Sequence, residues 1–387
     1  MEAYFDNAAT TKAAPEVVGI MMKVLSEDYG NPSSKHTKGM DAEGYIDNSR
    51  KMIADTLKCD AKNIIFTSGG TEANNHALIG TALAYERAGK HIITTAFEHA
   101  SVNEPLLFLE KRGYEISFVE VDNNGHVNAD KLQKLVRDDT ILVSVMHVNN
   151  EVGAVQDIKK LAEAAKSVNS RLLFHVDAIQ GYGKYRIYPK KQGIDLMSVS
   201  GHKINGPKGS GFLYKGDKVK TFPYMYGGGQ EKGMRSGTEN VPAIAGLGIA
   251  AKQTYENFDD RRRHILEVKQ ALIDGIREID GAVFNINRNL DANVGAPHIL
   301  SVSFEGVRSQ VLLNALQDNK IYVSSGSACS SNHPQISGTL KAVGVGEKLL
   351  DCTIRFSMSF ENTVRQAEYV VNVLKEQVPV LRKFKRY

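Results

Sequence analysis

Short apolar runs alternate with helix-like stretches between about residues 60 and 215. The runs cover residues 64–67, 91–95, 116–119, 141–146, 171–176, 196–199 and 212–214. The stretches between them show helical periodicity, for example at residues 73–88 and 158–165. This alternation is typical of an α/β fold, and it predicts a mostly parallel seven-stranded sheet with helices on both faces.

The pattern changes after Val241. A long helical stretch runs to about residue 279, and shorter elements follow, including apolar strands at 299–303 and 353–357 and a helix at 310–317. We therefore predict a large α/β domain over residues 13–258. A smaller α+β domain would comprise residues 259–387, with residues 1–12 joining it.

Composition limits the classes of protein. The chain has 387 residues, of which 42% are hydrophobic, and this suits domains with full cores. Its net charge of +4 is too balanced to predict a nucleic-acid partner. Three cysteines are a sparse, odd set that argues for a reducing compartment. Apolar runs do not approach the roughly 20 residues of a membrane span. The polar start also lacks the features of a signal peptide. We expect a cytoplasmic protein with no membrane partner.

Lys203 stands in Gly201-His202-Lys203, directly after the apolar run that ends at Ser200. Open α/β sheets bind their ligands at such strand ends. A lysine ammonium is costly to desolvate unless it is paired, deprotonated or used covalently. One interpretation is a lysine that forms a Schiff base with pyridoxal phosphate. The other is a surface lysine in a glycine loop, which these residues alone favour.

Gly69-Gly70-Thr71 follows a predicted strand and opens a helix. Glycines let the backbone approach an anion, and the free amides and dipole of the helix N-terminus attract it. Thr71 adds a hydroxyl donor, so the segment suits a phosphate, although plain turn chemistry explains it too. The motifs of nucleoside triphosphate and dinucleotide sites do not occur, so those ligands lose support.

Further polar residues follow other predicted strands. Asp177 can keep a pyridinium nitrogen protonated, although aspartate is also an ordinary turn or N-cap residue. His99 and Asn150 should reach the same sheet edge. His99 can stack on a cofactor ring and shuttle protons, and Asn150 can donate to a phenolic oxygen. Taken singly, a loop histidine and a turn asparagine explain these two residues better. The lysine, the phosphate loop and the carboxylate together nevertheless fit one cofactor.

Cys329 lies among small, polar residues at 324–334, a setting that suits a reactive thiol rather than a packed one. On these residues alone, a structural thiol is about equally favoured. Cys352 resembles a small core residue, and Cys59 a structural or surface thiol. Arg355 interrupts an alternating strand, where it can clamp a carboxylate or form a structural ion pair.

Assembled, these motifs resemble the cysteine desulfurases of the NifS/IscS type, which are class V, fold-type I pyridoxal-phosphate enzymes. The similarity runs nearly end to end and includes residues 5–11, 30–34, 67–75, 98–99, 146–153, 175–180, 200–203, 227–238, 325–329 and 354–357. It implies the fold of a fold-type I pyridoxal-phosphate-dependent transferase and a homodimer.

The resemblance also implies roles for the site residues. Lys203 would bond to pyridoxal 5'-phosphate, Asp177 would pair with its pyridine nitrogen and His99 would stack on its ring. The remaining cofactor contacts would be Asn150 and Gln180 at the phenolic oxygen, and Gly70, Thr71, Ser200, His202 and the partner subunit's Thr238 at the phosphate. Arg355 and Asn150 would bind the L-cysteine substrate, and Cys329 would accept its sulfur. We predict no metal ligands.

The implied reaction converts L-cysteine to L-alanine and leaves a persulfide on Cys329. The sulfur would then pass to an acceptor protein, either a tRNA-thiolating enzyme or an iron–sulfur scaffold. Residues 333–339 look more like the branch that serves tRNA thiolation. The alternatives are a selenocysteine lyase, another class V enzyme such as an aminotransferase, and a non-catalytic sulfur-relay or scaffold protein.

Overall fold

The computed structural model describes residues 1–286, 288–326 and 337–383. The strands are β1 (Ala3–Tyr4), β2 (Ile64–Thr67), β3 (His91–Thr95), β4 (Glu115–Val119), β5 (Thr140–Met146), β6 (Leu173–Asp177), β7 (Leu196–Ser200), β8 (Gly211–Lys215), β9 (Ala282–Phe284), β10 (Ile299–Phe304), β11 (Ile321–Tyr322), β12 (Ser324–Ser325) and β13 (Thr353–Ser357). The α-helices are α1 (Pro15–Ser26), α2 (Thr37–Leu57), α3 (Gly70–Asn75), α4 (Thr81–Ala84), α5 (Ala100–Glu110), α6 (Ala129–Leu135), α7 (Ile158–Val168), α8 (Pro189–Gln192), α9 (Val241–Tyr255), α10 (Phe258–Ile276), α11 (Ser309–Asp318), α12 (Gly338–Ala342), α13 (Glu347–Leu350) and α14 (Val364–Arg382).

The predicted seven-stranded sheet is confirmed, in the order β2-β8-β7-β6-β5-β3-β4. Strands β4, β3, β5, β6 and β7 pair in parallel, and β8 runs antiparallel to both of its neighbours. The central strands β5, β6 and β7 are buried along their whole length. Strands covered on both faces read as continuous apolar runs, and for this reason the sequence located them well.

Helices cover both faces of this sheet. One hydrophobic cluster joins the sheet to α1, α2, α6, α7 and α9, and a second cluster joins it to α3, α4 and α5. The carboxyl ends of the parallel strands therefore open at one edge between the two helical layers, where ligands bind in open α/β sheets.

The C-terminal part contains an antiparallel sheet in the order β12-β13-β10-β9, packed against α10, α11 and α14. The first residues belong to this core, because β1 pairs in parallel with β11 and both Ala3 and Phe5 are completely buried within it. This packing agrees with grouping residues 1–12 with the C-terminal part. The domain boundaries themselves stay a prediction.

Two predicted helical stretches are interrupted. Asn257 adopts a left-handed conformation with φ of 51°, so the long stretch after Val241 divides into α9 and α10. Asparagine tolerates this conformation better than most residues do. The stretch predicted at 73–88 contains a π-helical turn, His76–Gly80, between α3 and α4. Of the helices that the structure describes, none is long and apolar enough to cross a membrane.

Phe5→Ala is expected to lower the free energy of unfolding by about 3–5 kcal/mol, because it leaves a cavity in a well-packed core. Denaturant unfolding measures this change. Phe118→Ala is the control, since Phe118 is 53% exposed on β4, and it should cost about 1 kcal/mol or less. Equal effects of the two substitutions would contradict the packing of the N-terminal segment.

Candidate active site

A cavity of about 340 Å³ lies at the carboxyl edge of the large sheet. This volume falls within the range of roughly 300–1,000 Å³ typical of small-molecule pockets. The cavity brings together most of the residues singled out from the sequence: Gly70, Thr71, His99, Asn150, Asp177, Gln180, Ser200, His202, Lys203 and Arg355. Thr238 is exposed and is not among the lining residues. Cys329 lies outside the described residues.

Asp177 is the last residue of β6, and it is buried and lines the cavity. Its Oδ2 accepts a hydrogen bond from Asn74 Nδ2 at 2.8 Å, and its Oδ1 accepts from the backbone N–H of Ile179 at 3.0 Å. Burial raises the pKa of Asp177, while these donors and the nearby His99 and Lys203 act in the opposite direction. A positively charged ligand atom beside this carboxylate would therefore stabilise its ionised form.

His99 caps the N-terminus of α5, which fixes its ring. Its Nδ1 accepts from the backbone N–H of Ser101 at 3.0 Å, and the hydroxyl of Ser101 lies 2.8 Å from the same nitrogen. Because Nδ1 is an acceptor, the neutral ring carries its proton on Nε2. Burial lowers the pKa of His99, with the charge of Asp177 raising it and that of Lys203 lowering it. The neutral imidazole is thus the favoured form.

Asn74 links these two residues, and its role was not predicted. Its Nδ2 donates both to Asp177 and, at 2.9 Å, to Ser101 Oγ. The hydroxyl of Ser101 is then free to donate to His99. Asn74 lies three residues after Thr71, on the same helical face. That spacing was the signal that could have identified it.

Lys203 ends a short 3₁₀ turn, Gly201–Lys203, that directly follows β7. Its Nζ donates to the carbonyl oxygens of Ala8 and Ala9 at 2.7 and 2.6 Å. The backbone N–H of Thr11 donates to the carbonyl of His202 at 2.8 Å. The N-terminal segment is therefore part of the site. From the sequence we predict only that this segment joins the smaller domain.

The start of α3 forms one wall of the cavity. Gly69 has φ of 151°, which side-chain-bearing residues rarely adopt. A Cβ atom on Gly70 would lie 2.2 Å from Ile179 Cδ1 and 3.5 Å from Ser200 Cβ. Glycine at position 70 therefore lets the start of α3 lie close to Ile179 and Ser200.

Burial, together with the charge of Lys203, lowers the pKa of His202 to about 4, so its ring is neutral.

Arg355 lies on β13 and is buried. Its Nη1 donates to the carbonyl of Asn150 at 2.9 Å, and its Nη2 donates to Asp6 Oδ1 and Ser324 Oγ, both at 2.9 Å. The structural ion pair considered from the sequence is thus present, with Asp6 as the partner. Arg355 also lines the cavity, so the ion pair does not exclude a substrate-binding role. The roles of Asp6 and Ser324 were not predicted.

Residues on both sides of the segment that contains Cys329 are tied to the site. On the N-terminal side, Ser324 Oγ donates to Asp6 at 2.6 Å. On the C-terminal side, Ser337 and Thr339 donate to the carboxylate of Glu151, which is adjacent to Asn150. Both flanks of the segment are therefore anchored to residues at or next to the cavity.

The other two cysteines have properties unsuited to nucleophiles. Burial raises the pKa of Cys59 to about 12. Cys352 is buried, as expected for a small core residue, and its Sγ donates to the carbonyl of Lys348 at 3.4 Å. The thiolate is the reactive form of cysteine.

Comparison with known proteins gives a consistent assignment. The class-V aminotransferase family matches residues 3–370. Cysteine desulfurase IscS of Methanosarcina thermophila is 40% identical over 381 residues, which cover 98% of this chain and 92% of the relative. The putative cysteine desulfurase IscS 1 of Bacillus subtilis strain 168 is 42% identical over 377 residues, with coverage of 96% and 98%.

Solved structures agree with these sequence relatives. A NifS-like protein superposes with a TM-score of 0.92 at 35% identity, covering 98% of this chain and all of its own. SspA, solved in complex with cysteine, superposes with a TM-score of 0.81 at 31% identity, covering 92% of this chain and 99% of its own. The chain therefore belongs to the class-V aminotransferase family, in its group of cysteine desulfurases.

Proposed function

We propose that the protein is a pyridoxal-phosphate-dependent cysteine desulfurase that removes sulfur from L-cysteine and carries it on Cys329. The observation that supports this most directly is the cavity at the sheet edge. There, the Lys203 amine, the buried Asp177 carboxylate and the Arg355 guanidinium line one space. Family membership and the cysteine complex of SspA support the same substrate.

The residues present fit pyridoxal phosphate. Asp177 is a buried carboxylate that accepts hydrogen bonds from the neutral amides of Asn74 and Ile179, so a pyridinium N–H suits it. Gly70, Thr71, Ser200 and His202 would hold the phosphate. Gln180 and Asn150 would contact the phenolic oxygen, His99 would stack on the ring, and Lys203 would bond covalently to the cofactor. When bound, the cofactor supplies an electron sink that acidifies the α-carbon of an attached amino acid.

This chain's residues would then bind and deprotonate the substrate. Arg355 and Asn150 orient L-cysteine through its carboxylate, for which a guanidinium fork is well suited. The amine of Lys203 would take the α-proton after the amino group of L-cysteine has displaced it from the cofactor. Neutral His99 can relay a proton to the leaving groups, because Nδ1 is held by Ser101 and Nε2 carries the ring's proton.

Sulfur transfer would use the Cys329 thiolate. Its Sγ attacks the substrate sulfur, so that an S–S bond forms and the carbon–sulfur bond breaks. The carbon skeleton takes up protons and leaves as L-alanine, and Cys329 keeps the sulfur as a persulfide. An aminotransferase has no need of this thiol, so persulfide formation separates that alternative from the desulfurase.

A homodimer with composite sites would explain the position of Thr238. Thr238 is exposed, and the nearby run 222–226 exposes Phe222, Tyr224, Met225 and Tyr226, the last by 78%. Tyr224 and Phe108 line a surface groove that also contains Thr71 and His99 of the cavity. Exposed apolar patches of this kind mark interaction surfaces. A partner subunit seated here would bury them and bring its Thr238 to the phosphate.

The sulfur acceptor would be a tRNA-thiolating enzyme, with an iron–sulfur scaffold as the second candidate. Support comes from the sequence of residues 333–339, which differs from that of the iron–sulfur housekeeping members. Any acceptor must approach the surface beside Cys329, and such surfaces set partner choice. The sparse, odd set of cysteines supports a cytoplasmic location.

Incubation with L-cysteine is expected to add one sulfur atom to Cys329, as measured by mass spectrometry of the intact protein and its peptides. Cys329→Ser should bind pyridoxal phosphate but release no sulfide. Lys203→Ala should lose both turnover and the visible absorbance of the lysine-linked cofactor. Cys59→Ser and Cys352→Ser are the controls and should retain persulfide formation. Normal sulfide release by Cys329→Ser would end the desulfurase mechanism and favour a direct lyase.

The ring of His99 is expected to titrate below the reference pKa of about 6.5 in protein without added cofactor, because burial disfavours the imidazolium. NMR of histidine-labelled protein measures its pKa. Asp177→Asn removes a nearby negative charge and should lower the pKa further. Lys203→Met removes a positive charge and should raise it. A His99 pKa at or above the reference value would contradict the proposed neutral proton carrier.

Mixed dimers can test whether Thr238 acts on the other subunit's site. Thr238→Asp should expel the phosphate by charge repulsion, and Lys203→Ala should be inactive. If Thr238 acts across the dimer, a mixed dimer of these two variants has one intact site. It should therefore regain about half of the wild-type activity per dimer. No recovery, in dimers verified by light scattering, would place Thr238 within its own subunit's site.

Cys329 loaded with labelled sulfur is expected to transfer it faster to a tRNA-thiolating enzyme than to an iron–sulfur scaffold, when each is offered separately. Unloaded protein serves as the blank. Transfer to the scaffold alone would reverse the ranking and leave the desulfurase chemistry untouched.

A further inference from the structure

His298 lies directly before β10, in the C-terminal part of the chain, and only 2% of it is exposed. Its Nε2 is 3.2 Å from Oε1 of Gln180, across the boundary between the two parts of the fold. Gln180 lines the cavity, whereas His298 does not. The hydrogen bond to Gln180 therefore links His298 to the candidate site.

The orientation of the Gln180 amide follows from its other contact. Its Nε2 donates to the carbonyl of Ala8 at 2.9 Å. A carbonyl can only accept, so the NH₂ end of the amide faces Ala8 and the oxygen faces His298. His298 must then carry its proton on Nε2 and donate it to Gln180.

The surroundings of His298 keep it in this form. Burial lowers its pKa well below the ordinary value, and Lys184, Lys269 and Arg355 act in the same direction. The ring is therefore neutral. Its Nδ1 has no hydrogen-bond partner among the residues that the structure describes. Among the described residues, Gln180 is thus the hydrogen-bond partner of the His298 ring.

His298 supplies the donor that holds the amide of Gln180 in this orientation. Without His298, the amide oxygen of Gln180 would be a buried acceptor lacking its donor, which is costly. The contact with Ala8 alone holds the amide less firmly, because the Ala8 carbonyl also accepts from Lys203 Nζ in this structure. A rotated amide would present oxygen, instead of N–H, to the cavity.

We propose that His298 is a positioning residue that fixes the amide of Gln180 so that its second N–H can donate to the phenolic oxygen of the cofactor. This inference rests on the proposed function, in which Gln180 contacts that oxygen. A donor at this position favours the anionic form of the oxygen. Loss of His298 should therefore raise the pH midpoint of the holoenzyme's visible absorbance.

The test compares His298→Leu, His298→Gln and Gln180→Leu by spectrophotometric pH titration of the holoenzyme. His298→Leu should raise the midpoint by roughly half a unit to one unit. His298→Gln keeps a donor at a similar reach and should restore most of the wild-type value. Gln180→Leu should shift the midpoint upward as well. The double Leu variant should shift it no further than Gln180→Leu alone, since His298 acts through Gln180.

His175→Leu is the matched control. His175 is also fully buried, but its ring nitrogens contact Ser144 and Ser198 within the sheet. It should lower stability without moving the midpoint. An unchanged midpoint in His298→Leu, or additive shifts in the double variant, would overturn the inference. If wild-type protein shows no cofactor absorbance, the proposed function itself fails. The Nε2–H tautomer of His298 can be measured separately by NMR in the protein without cofactor.

Discussion

The carbonyl oxygen of Ala8 is the acceptor on which the arrangement of the site depends. It accepts from Lys203 at 2.7 Å and from Gln180 at 2.9 Å, and both donors come from turns that follow strands of the large sheet. The segment that carries Ala8 is held at its other end by Phe5, which is buried in the C-terminal core. One stretch of backbone therefore connects the two cores and holds the amine of Lys203. A shift of either core would change the position of that amine.

Burial also determines where charge resides in this region. The buried His147 and His175 and the partly buried His202 are neutral, because desolvation lowers the pKa of His147 and His202 to about 4 and that of His175 to about 3. Among the residues that line the cavity, the charged side chains are those of Asp177, Lys203 and Arg355. In the proposed reaction, the cofactor would lie beside the Asp177 carboxylate and the substrate beside the Arg355 guanidinium. In a space with little water, such interactions are stronger than they are at the surface.

Much of this site was predictable because it follows strand ends. His99, Asn150, Asp177 and Lys203 each come shortly after an apolar run, and parallel strands bring such positions to one edge. Contacts between distant segments were not predictable in the same way. Neither the pairing of Asp6 with Arg355 nor that of His298 with Gln180 has a local pattern, since each depends on how the two parts of the fold pack. The division between α9 and α10 was also missed, because it depends on the backbone conformation of a single residue, Asn257.

Arg355 shows how substrate recognition and sulfur transfer can be linked in the proposed reaction. Its Nη2 already donates to Asp6 and to Ser324, and Ser324 lies shortly before the segment that contains Cys329. A substrate carboxylate that binds this guanidinium would lie close to the carboxylate of Asp6. The two negative charges would repel each other, so the contact between Asp6 and Arg355 would loosen. Any loosening of the contact between Asp6 and Arg355 would also affect Ser324, because the three side chains form one hydrogen-bonded group. In the proposed reaction, the guanidinium that binds the substrate would thus be joined by hydrogen bonds to the chain that leads to Cys329.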